Sequence, residues 1–445
     1  MSLIGKRIQH YKWGNGTVRA QRHGDFELLI QFDNGVVSWI RKNEVNLFPS
    51  NMETSILIKK PTRETPEETG KINEKIFLKR QAVEAFKLGI VPPFVKDFIF
   101  GRDREIEYIK KWLNQNEYNY LLLLGDYGSG KTHMLKYIKD LALEMNYAVA
   151  YCNLDPEESP FYKPKMVYKI IVSNFTYDKE KKGFRDFILE ISDKNIDVTM
   201  ENPFIKIIMN YPKDDEYFWR WLEADDLIKS IYGFPTLFPH GTAANIYCNL
   251  LSILGYFAQK SLGLPGLLLL FDEAESLDFP SLYSYQYEKG KNFFKGLLLT
   301  ASNNPDLLNE RVTLSTPVTG YKTGLIYCGL NKINYLNCIP SGLKVLFALT
   351  DSPNLRQFCI DIGYSRYTPL KNLTEEERRE VVEAIQQLYI SAYPSSGFNE
   401  KELHLIQKKA LQLGRENIRS LIKCTIEAMD LRRHYPLENL RKLLQ

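Results

Sequence analysis

The sequence predicts an α/β protein, in which a parallel sheet with helices on both faces follows a small all-β domain and precedes a helical lid. Three observations lead to this fold class. An apolar run at residues 120–124 continues into a glycine-rich loop and then into apolar residues at helical spacing. A second apolar run, at residues 267–271, ends in two adjacent carboxylates. The first 48 residues instead contain two β-rich runs around the hairpin signal Asp33-Asn34-Gly35.

Composition narrows the class of protein. With 445 residues the chain has room for roughly two to four domains, and its 44% hydrophobic and 25% charged residues are those of an ordinary globular protein. The longest apolar run is too short to span a bilayer and no basic-then-apolar leader opens the sequence, so we expect a cytoplasmic protein without a membrane partner. The cysteines lack C-x-x-C spacing and a nearby histidine, which argues against a zinc site or a disulfide framework: Cys152, Cys248, Cys328, Cys338, Cys359 and Cys424.

The first chemical motif is the loop after the first apolar run. Its residues have the G-x-x-x-x-G-K-[ST] spacing of a phosphate-binding loop: Gly125, Asp126, Tyr127, Gly128, Ser129, Gly130, Lys131 and Thr132. A strand before the loop and a helix after it are the context that separates such a loop from a chance match. The glycines let backbone N–H groups converge on a phosphate at the positive end of a helix dipole. Lys131 then reaches the β- and γ-phosphates, and the Thr132 hydroxyl binds Mg²⁺.

The second motif is the carboxylate pair at the end of the other apolar run. Ligands gather at the carboxyl ends of strands in open α/β sheets, so Asp272 and Glu273 belong near the phosphate loop. Asp272 is the candidate Mg²⁺ ligand, and Glu273 is the candidate base for a water that attacks the γ-phosphate. Taken alone, the pair would also suit a solvated strand end. With the phosphate loop present, it predicts an enzyme that hydrolyses ATP with Mg²⁺.

Two segments precede the predicted core. Residues 1–48 resemble Tudor/SH3-like barrels, on the pattern of Gly5, Ile8, His10, Trp13, Gly14, Gly16 and Val18. Such barrels bind nucleic acid or protein, and the fold does not choose between them. Residues 49–75 are rich in Pro, Thr, Glu and Lys without apolar periodicity, and they predict a mobile linker.

The core is predicted over residues 76–368 and the helical lid over residues 369–445. Residues 98–105 resemble the start of AAA+ ATPases, in which an apolar residue and a glycine turn pack on adenine; Phe100 and Gly101 take these places. A helical insert spans about residues 156–262, and its aromatic run is explained by packing or, alternatively, by a partner surface. The lid opens with a capping box from Thr374 to Glu377.

The match to one family is broader. Residues 80–92 are similar to the lead-in of the ATP-binding proteins of BREX-type phage-defence systems. The phosphate loop with His133, residues 219–222, and residues 262–267 running into the Asp-Glu pair resemble the same family. This resemblance covers residues 76–445. It implies an AAA+ core, a helical lid, ATP hydrolysis, association with DNA, and work beside a helicase or other defence proteins.

The resemblance to AAA+ proteins also suggests residues that complete the site. Thr350, at the end of the strand after the Asp-Glu strand, takes the position of a sensor that touches the γ-phosphate. Arg366 resembles the arginine finger that enters a neighbouring subunit's site, although it also suits a local salt bridge. Arg419 suits a second sensor in the lid, with Arg415 as the competing residue. A finger of this kind implies a homo-oligomer with ATP sites at subunit interfaces.

The distribution of charged residues along the chain bears on which partner the protein binds. The net charge is +4, but residues 401–445 hold ten Lys or Arg and five Asp or Glu. A basic helical end fits duplex DNA bound with low sequence specificity, although it is also typical of a solvated face. The main prediction is an AAA+ ATPase that assembles on DNA and supports a phage-defence complex. The alternative is a slow signalling or scaffold ATPase whose first domain docks proteins; a small-molecule kinase is a more distant option.

Overall fold

The computed structural model describes residues 7–10, 14–22, 27–32, 37–41, 45–47, 66–92, 95–155, 160–178, 180–194, 202–225, 234–239, 244–274, 284–312, 320, 322–327, 335–336, 339–364 and 366–444. The chain divides into two compact units, Met1–Thr69 and Gly70–Gln445. Within the described ranges, no helix has both the length and the apolar character needed to cross a membrane.

The first unit contains a five-stranded antiparallel sheet. Its strands are β1 (Arg7–His10), β2 (Gly14–Arg22), β3 (Glu27–Phe32), β4 (Val37–Arg41) and β5 (Val45–Leu47), and they lie in the order β4-β3-β2-β1-β5. Side chains alternate along β3, so Leu28, Ile30 and Phe32 are buried while Gln31 is exposed. These buried residues share a small core with three residues of the other strands: Ile8, Val18 and Ile40.

The predicted hairpin is present in this sheet, because β3 pairs antiparallel with β4 and Leu29 lies opposite Trp39. Its turn, Asp33-Asn34-Gly35, lies outside the described residues, as do Gly5 and Trp13. The resemblance of this unit to Tudor/SH3-like barrels stays a prediction.

The linker predicted over residues 49–75 ends earlier than expected, because helix α1 runs over Pro66–Lys87. Apolar periodicity marks this helix only from residue 76. Pro66 at the first helical position and the acidic Glu67 and Glu68 after it are helix-start features that do not depend on apolar spacing. Residues 49–65 lie outside the described residues.

The second unit contains a six-stranded sheet and a separate two-stranded antiparallel sheet. Its strands are β6 (Tyr120–Leu124), β7 (Ala148–Asn153), β8 (Phe175–Thr176), β9 (Leu267–Asp272), β10 (Arg311–Val312), β11 (Tyr335–Leu336), β12 (Leu343–Leu349) and β13 (Tyr367–Pro369). The main sheet has the order β13-β6-β12-β9-β7-β8, while β10 pairs with β11. All neighbours in the main sheet are parallel except β7 and β8. The carboxyl ends of five strands therefore meet at one edge.

Both faces of this sheet are covered. Every residue of β6, β9 and β12 is buried. Along β6, Leu121 and Leu123 pack into one hydrophobic cluster, and Leu122 and Leu124 pack into another. Continuous apolar strands of this kind are expected in parallel sheets with two covered faces. The predicted α/β class is thereby confirmed.

Two groups of helices pack on the two faces of the main sheet. On one face lie α2 (Asp103–Asn114) and α3 (Lys131–Glu144). The cluster on the other face receives side chains from α4 (Pro164–Ser173), α5 (Phe184–Ser192), α6 (Pro203–Asn210), α7 (Glu216–Leu222), α8 (Ala244–Lys260), α9 (Ser284–Ala301), α10 (Pro305–Leu308) and α11 (Pro353–Asp361). The aromatic run lies in α7, where Phe218, Trp219 and Trp221 are all buried. Packing therefore explains it.

The carboxyl-terminal region is helical. It contains α12 (Glu375–Ala392), α13 (Glu400–Leu413), α14 (Ile418–His434) and α15 (Leu440–Leu443). The predicted capping box is present at the start of α12, where Thr374 and Glu377 exchange side-chain and backbone hydrogen bonds.

Helix α1 joins this region although it precedes the core in the sequence. Ala82, Val83 and Phe86 are buried in the hydrophobic cluster of α12, α13 and α14. Two polar contacts add to the packing: Arg80 Nε donates to the Ala392 carbonyl at 2.9 Å, and Lys87 Nζ lies 2.5 Å from Asp430 Oδ2. The sequence boundary at residue 76 assigns these residues to the core, whereas they pack with the lid.

Candidate functional site

The phosphate loop connects β6 to α3 at the carboxyl edge of the sheet. Gly128 and Gly130 have φ angles of +76° and +96°, a region that side chains with a Cβ rarely adopt. Gly130 is also the N-cap of α3, which begins at Lys131. The loop therefore ends at a helix N-terminus, where backbone N–H groups are available to an anion.

Lys131 and Thr350 meet at this loop. Lys131 Nζ is buried and lies 2.9 Å from the Gly125 carbonyl and 3.1 Å from Thr350 Oγ1. Thr350 directly follows β12, which lies next to β6 in the sheet. The parallel order of β6 and β12 thus brings together two predicted residues that are 219 positions apart in the sequence.

The carboxylate pair follows the neighbouring strand. Asp272 is the last residue of β9 and is 1% exposed. The hydroxyl of Tyr151 on β7 donates a hydrogen bond to Asp272 Oδ2 at 2.6 Å, and the Glu273 N–H donates to Asp272 Oδ1 at 3.0 Å. Burial and the nearby Asp272 charge raise the pKa of Tyr151, so this hydroxyl stays protonated as a donor.

The surroundings of the Asp272 carboxylate suit a bound cation. In the part of the chain that the structure describes, Asp272 forms no ion pair with a Lys or Arg, and the donors to its carboxylate are the Tyr151 hydroxyl and the Glu273 N–H. A buried carboxylate with neutral donors keeps a charge that a cation would balance. The described residues contain no group of three or more His, Cys, Asp or Glu that would cage a metal. Mg²⁺ needs only one or two carboxylates when a phosphate shares it, so Asp272 and Thr132 fit that ion.

A cleft of about 940 Å³, including its open mouth, lies beside the loop. Part of its wall is formed by residues 126–133 together with Glu273 and Arg419. Gly89 and Arg102 also line the cleft. The remaining lining is apolar, as expected for a site that binds a base: Phe86, Ile90, Val91, Phe98, Ile99, Phe100, Met134, Ile418 and Ile422. The His133 ring lies nearly parallel to that of Phe86, at 14° and 6.3 Å between centroids.

Two predicted binding residues are absent from the lining of this cleft. Gly125 contributes the carbonyl that accepts from Lys131. Gly101 has a φ angle of +63°, and a Cβ added there would come within 2.9 Å of Leu373 Cδ2. Its role in the structure is to let the chain pass close to the segment before α12, rather than to form the cleft wall.

Comparison with protein families identifies part of this site. Residues 77–201 match the family described as BREX system ATP-binding protein BrxC/D. The resemblance predicted from the sequence is thereby confirmed over this segment, which runs from α1 through the phosphate loop and past β7. The match does not extend to Asp272, Glu273, Thr350 or Arg419.

Solved structures give more distant similarities. One is the crystal structure of domain III from the Thermotoga maritima replication initiation protein DnaA, at 11% identity and a TM-score of 0.37, covering 79% of this chain and 93% of that chain. Another is the structure of the E. coli MS115-1 HORMA:CdnC:Trip13 complex, at 12% identity and a TM-score of 0.34, covering 85% of this chain and 86% of that chain. A comparison with curated proteins found no match.

The matched segment contains Arg102, which belongs to the element predicted at residues 98–105 but is assigned no role there. Arg102 is buried, and its guanidinium donates to the Ser129 carbonyl at 2.9 Å and to the Lys371 carbonyl at 2.6 Å. It also forms an ion pair with Glu105 at 3.2 Å. Arg102 therefore ties the phosphate loop to the segment between β13 and α12. The sequence contains Arg102 next to Gly101, but it gives no sign of the carbonyl partners, which lie 27 and 269 positions away.

The two arginines considered for the lid sensor differ in position. Arg419 lines the cleft, and its Nη1 donates to the hydroxyl of Tyr127 in the phosphate loop at 2.8 Å. Its guanidinium also lies 5.0 Å from the centroid of the Tyr127 ring. Arg415 does not line this cleft but an adjoining one. The geometry favours Arg419 over Arg415.

Arg366 lies elsewhere. It precedes β13, so it is near the amino end of a strand whose carboxyl end faces the phosphate loop. Its guanidinium stacks on the ring of Tyr118 at 3.2 Å from the centroid. In the described ranges Arg366 forms no ion pair with Asp or Glu, so the local salt-bridge alternative lacks support. It does not contribute to the cleft of its own chain.

Proposed function

We propose that this chain is an AAA+ ATPase that binds and hydrolyses ATP with Mg²⁺ in the cleft beside the phosphate loop. The observation that carries the proposal is the convergence of Lys131, Thr350 and the Asp272-Glu273 pair at one edge of the sheet. The match of residues 77–201 to a family of ATP-binding proteins supports it independently. A kinase would need an acceptor site as well, and the carboxylate pair suits water better than a second substrate.

The loop and the apolar walls would hold the substrate. Backbone N–H groups of the loop and the N-terminus of α3 would bind the phosphates, and Lys131 would bind the β- and γ-phosphate oxygens. Phe86, Phe100 and His133 would enclose the base. Thr132 and Asp272 would hold Mg²⁺, which supplies positive charge against the charge that develops on the phosphates.

Glu273 would orient the attacking water and accept its proton. It lines the cleft with Lys131, and its backbone is held by the hydrogen bond to Asp272 Oδ1. Thr350, within reach of Lys131 Nζ, would detect the γ-phosphate. Arg419 would contact the same phosphate from the lid, exchanging its partner Tyr127 for the ligand.

Oligomer formation would complete the site. Since Arg366 lies away from the cleft of its own chain, it would act in the site of a neighbouring subunit, where such a finger adds about 10³–10⁵ in rate. ATP would then favour the assembled form and hydrolysis would release it, because the γ-phosphate contact exists in only one of the two states.

The setting proposed is a cytoplasmic anti-phage complex on DNA, in which the ATPase works with a helicase or other defence proteins. The family match over residues 77–201 supports the defence role. The basic surplus of residues 401–445 supports DNA as the partner. One observation favours the alternative, a slow scaffold ATPase: Arg432 and Arg433 are engaged by Glu402 and Asp430, which reduces the free positive charge.

Two substitutions test the ATPase. Lys131→Ala should abolish ATP binding, because it removes the positive charge that would bind the β- and γ-phosphate oxygens. Glu273→Gln should retain Mg²⁺-ATP but lose turnover by at least about 10²-fold, since binding contacts survive while proton acceptance does not. Binding is measured by calorimetry and turnover by phosphate release.

Lys110→Ala on α2 serves as the control, because Lys110 is exposed, whereas Lys136 on α3 is half-buried and does not suit. Unchanged ATP affinity in Lys131→Ala would show that the loop is misassigned. Normal turnover in Glu273→Gln would remove Glu273 from the mechanism while leaving ATP binding in place.

A further inference from the structure

The tyrosine beside the carboxylate pair is not part of any motif in the sequence. Tyr151 lies on β7 opposite Leu270 of β9, and Asn153 lies opposite Asp272. The Tyr151 side chain therefore extends along the sheet by two residues to reach Asp272 Oδ2, at 2.6 Å. Its position on β7 is itself fixed, since Asn174 Nδ2 donates to the Tyr151 carbonyl at 3.0 Å.

The hydrogen bonds continue from Asp272 to Glu273. Asp272 Oδ1 accepts the Glu273 N–H at 3.0 Å, so each carboxylate oxygen has one donor. Glu273 has a φ angle of +54°, which is rare for a residue with a side chain and persists only where neighbouring contacts hold it. The Leu154 N–H also donates to the Asp272 carbonyl, at 3.0 Å, which fixes the backbone at this point.

We propose that Tyr151 is a positioning residue for the Asp272 carboxylate and, through it, for the backbone of Glu273. The inference rests on the proposed function, because it assigns Asp272 to Mg²⁺. With donors from Tyr151 and Glu273, the carboxylate cannot rotate about its Cβ–Cγ bond without breaking a hydrogen bond. Each oxygen still has a lone pair for a metal ion or a metal-bound water. Partners of this kind orient metal ligands and their loss weakens metal binding.

The test is Tyr151→Phe in the full chain, which removes the hydroxyl and keeps the ring. The affinity for the non-hydrolysable analogue AMPPNP is measured in EDTA and across a titration of MgCl₂. In EDTA the affinity should stay within about twofold of the unmodified chain. The Mg²⁺ concentration that gives half of the metal-dependent gain in affinity should rise by roughly 10–100-fold.

A matched control is Tyr147→Phe. Tyr147 is another buried tyrosine, close in sequence, whose hydroxyl donates to the Leu113 carbonyl at 2.7 Å and not to the carboxylate pair. Its loss should lower the melting temperature without changing the Mg²⁺ midpoint. In an Asp272→Asn background, Tyr151→Phe should have no further effect on the midpoint, because the carboxylate that it orients is gone.

Three outcomes would contradict the inference. One is a Mg²⁺ midpoint in Tyr151→Phe within about twofold of the unmodified chain. Another is an equal loss of affinity with and without Mg²⁺, which would show a general effect on the cleft. The third is an undiminished effect of Tyr151→Phe in the Asp272→Asn background. If the unmodified chain bound no AMPPNP in either solution, the proposed function itself would fail, and that result is distinct from these three.

Discussion

Arg102 shows how one buried side chain holds several parts of this molecule together. Its guanidinium contacts the Ser129 carbonyl of the phosphate loop, the Lys371 carbonyl before the lid, and the Glu105 carboxylate. The planar group has five N–H donors in a fixed arrangement, so a lysine would not satisfy these oxygens in the same way. Two of the acceptors are backbone carbonyls that would otherwise need other donors.

We predict that Arg102→Leu lowers the free energy of unfolding by about 3 kcal/mol, because hydrogen bonds to a charged group contribute about 1.5–3 kcal/mol each and part of this is recovered by relaxation. It should also weaken ATP binding, since the Ser129 carbonyl loses its donor. Urea denaturation and calorimetry measure the two effects. Arg104→Leu, an exposed neighbour on α2, is the matched control and should change stability by less than about 0.5 kcal/mol. Equal effects of the two substitutions would contradict the proposed role of Arg102.

At the residue scale, the sequence predicts the groups that carry the chemistry but not those that position them. Lys131 and Asp272 are recognisable because phosphate and metal chemistry needs those residue types at fixed spacing or at a strand end. Tyr151 is not recognisable, since its partner Asp272 is 121 positions away and any polar residue could be placed there by the sheet register. The same reason hides Arg102, whose second carbonyl partner is 269 positions away.

At the scale of elements, helix α1 is attached to the lid by both apolar and polar contacts. Lys87 lies 2.5 Å from Asp430 on α14, and the buried Tyr389 of α12 donates to the other oxygen of Asp430 at 2.6 Å. Burial alone would raise the pKa of Asp430, but the hydrogen bonds from Lys87 and Tyr389 and the Lys87 charge outweigh it. The pKa of Asp430 therefore lies below its ordinary value of 3.8.

A depressed pKa makes this contact dependent on pH. The stabilisation is complete above pH 3.8, where Asp430 would be ionised even in the unfolded chain, and it is lost as the pH falls through the lower folded pKa. We predict that Lys87→Met lowers the free energy of unfolding by about 1 kcal/mol near neutral pH, a modest value because the Lys87 side chain is partly solvated.

The difference between Lys87→Met and the unmodified chain should stay constant above pH 3.8 and shrink as the pH is lowered below 3.8, toward the depressed pKa of Asp430 in the folded chain. Urea denaturation at several pH values measures it. Lys423→Met is the matched control, because Lys423 lies on the exposed side of α14 and is 3.8 Å from Glu427. A difference that stayed constant down to the lowest pH would exclude Asp430 as the relevant partner.

Elements with continuous apolar runs are predicted well, whereas their packing partners are not. The strands at residues 120–124 and 267–271 are recognisable because parallel strands with two covered faces must be apolar throughout. The start of α1 is missed because residues 66–75 contain few apolar residues, and its first turn is marked by Pro66 and acidic residues instead. Its attachment to the lid has no local signal at all, since it depends on side chains more than 300 positions away.

At the scale of the whole molecule, the question is whether the basic surplus near the carboxyl terminus forms a surface for DNA. Arg432 contacts Glu402 at 2.6 Å and Arg433 lies over the Tyr393 ring and beside Asp430, so these two charges are engaged within the lid. Arg441 and Lys442 are exposed on α15. The free positive charge is therefore smaller than the composition suggests.

We predict that the full chain binds plain duplex DNA and that its affinity falls by at least about tenfold as salt rises from about 50 to about 200 mM, because phosphate contacts release counterions. Replacing Arg441 and Lys442 by Gln should weaken binding and reduce the slope of log K against log salt. Arg432→Gln is the matched control and should leave the slope unchanged, because its charge is engaged by Glu402. Fluorescence anisotropy measures both. No DNA binding at low salt, with ATP binding intact, would favour the scaffold alternative.

The fold class of the second unit and the place of its site follow from the sequence, because strand, loop and helix signals occur in an order that few topologies accept. The sheet order does not follow from those signals, and it is the sheet order that brings Thr350 beside Lys131. The preferred partner does not follow either, since charge composition counts Arg432 and Arg433 as free when both have acidic neighbours.

The attachment of α1 to the lid has a consequence for how the protein is made. Lys87 and Asp430 are 343 residues apart, so at the usual rates of translation the ribosome needs roughly 20–70 s to produce the second after the first. Until the lid helices emerge, the apolar side of the nascent α1, with Ala82 and Val83, lacks the cover that α12, α13 and α14 give it in the folded chain. The cleft wall that Phe86 shares with Ile418 and Ile422 can form only after α14 has emerged, so a finished cleft requires synthesis to pass that helix.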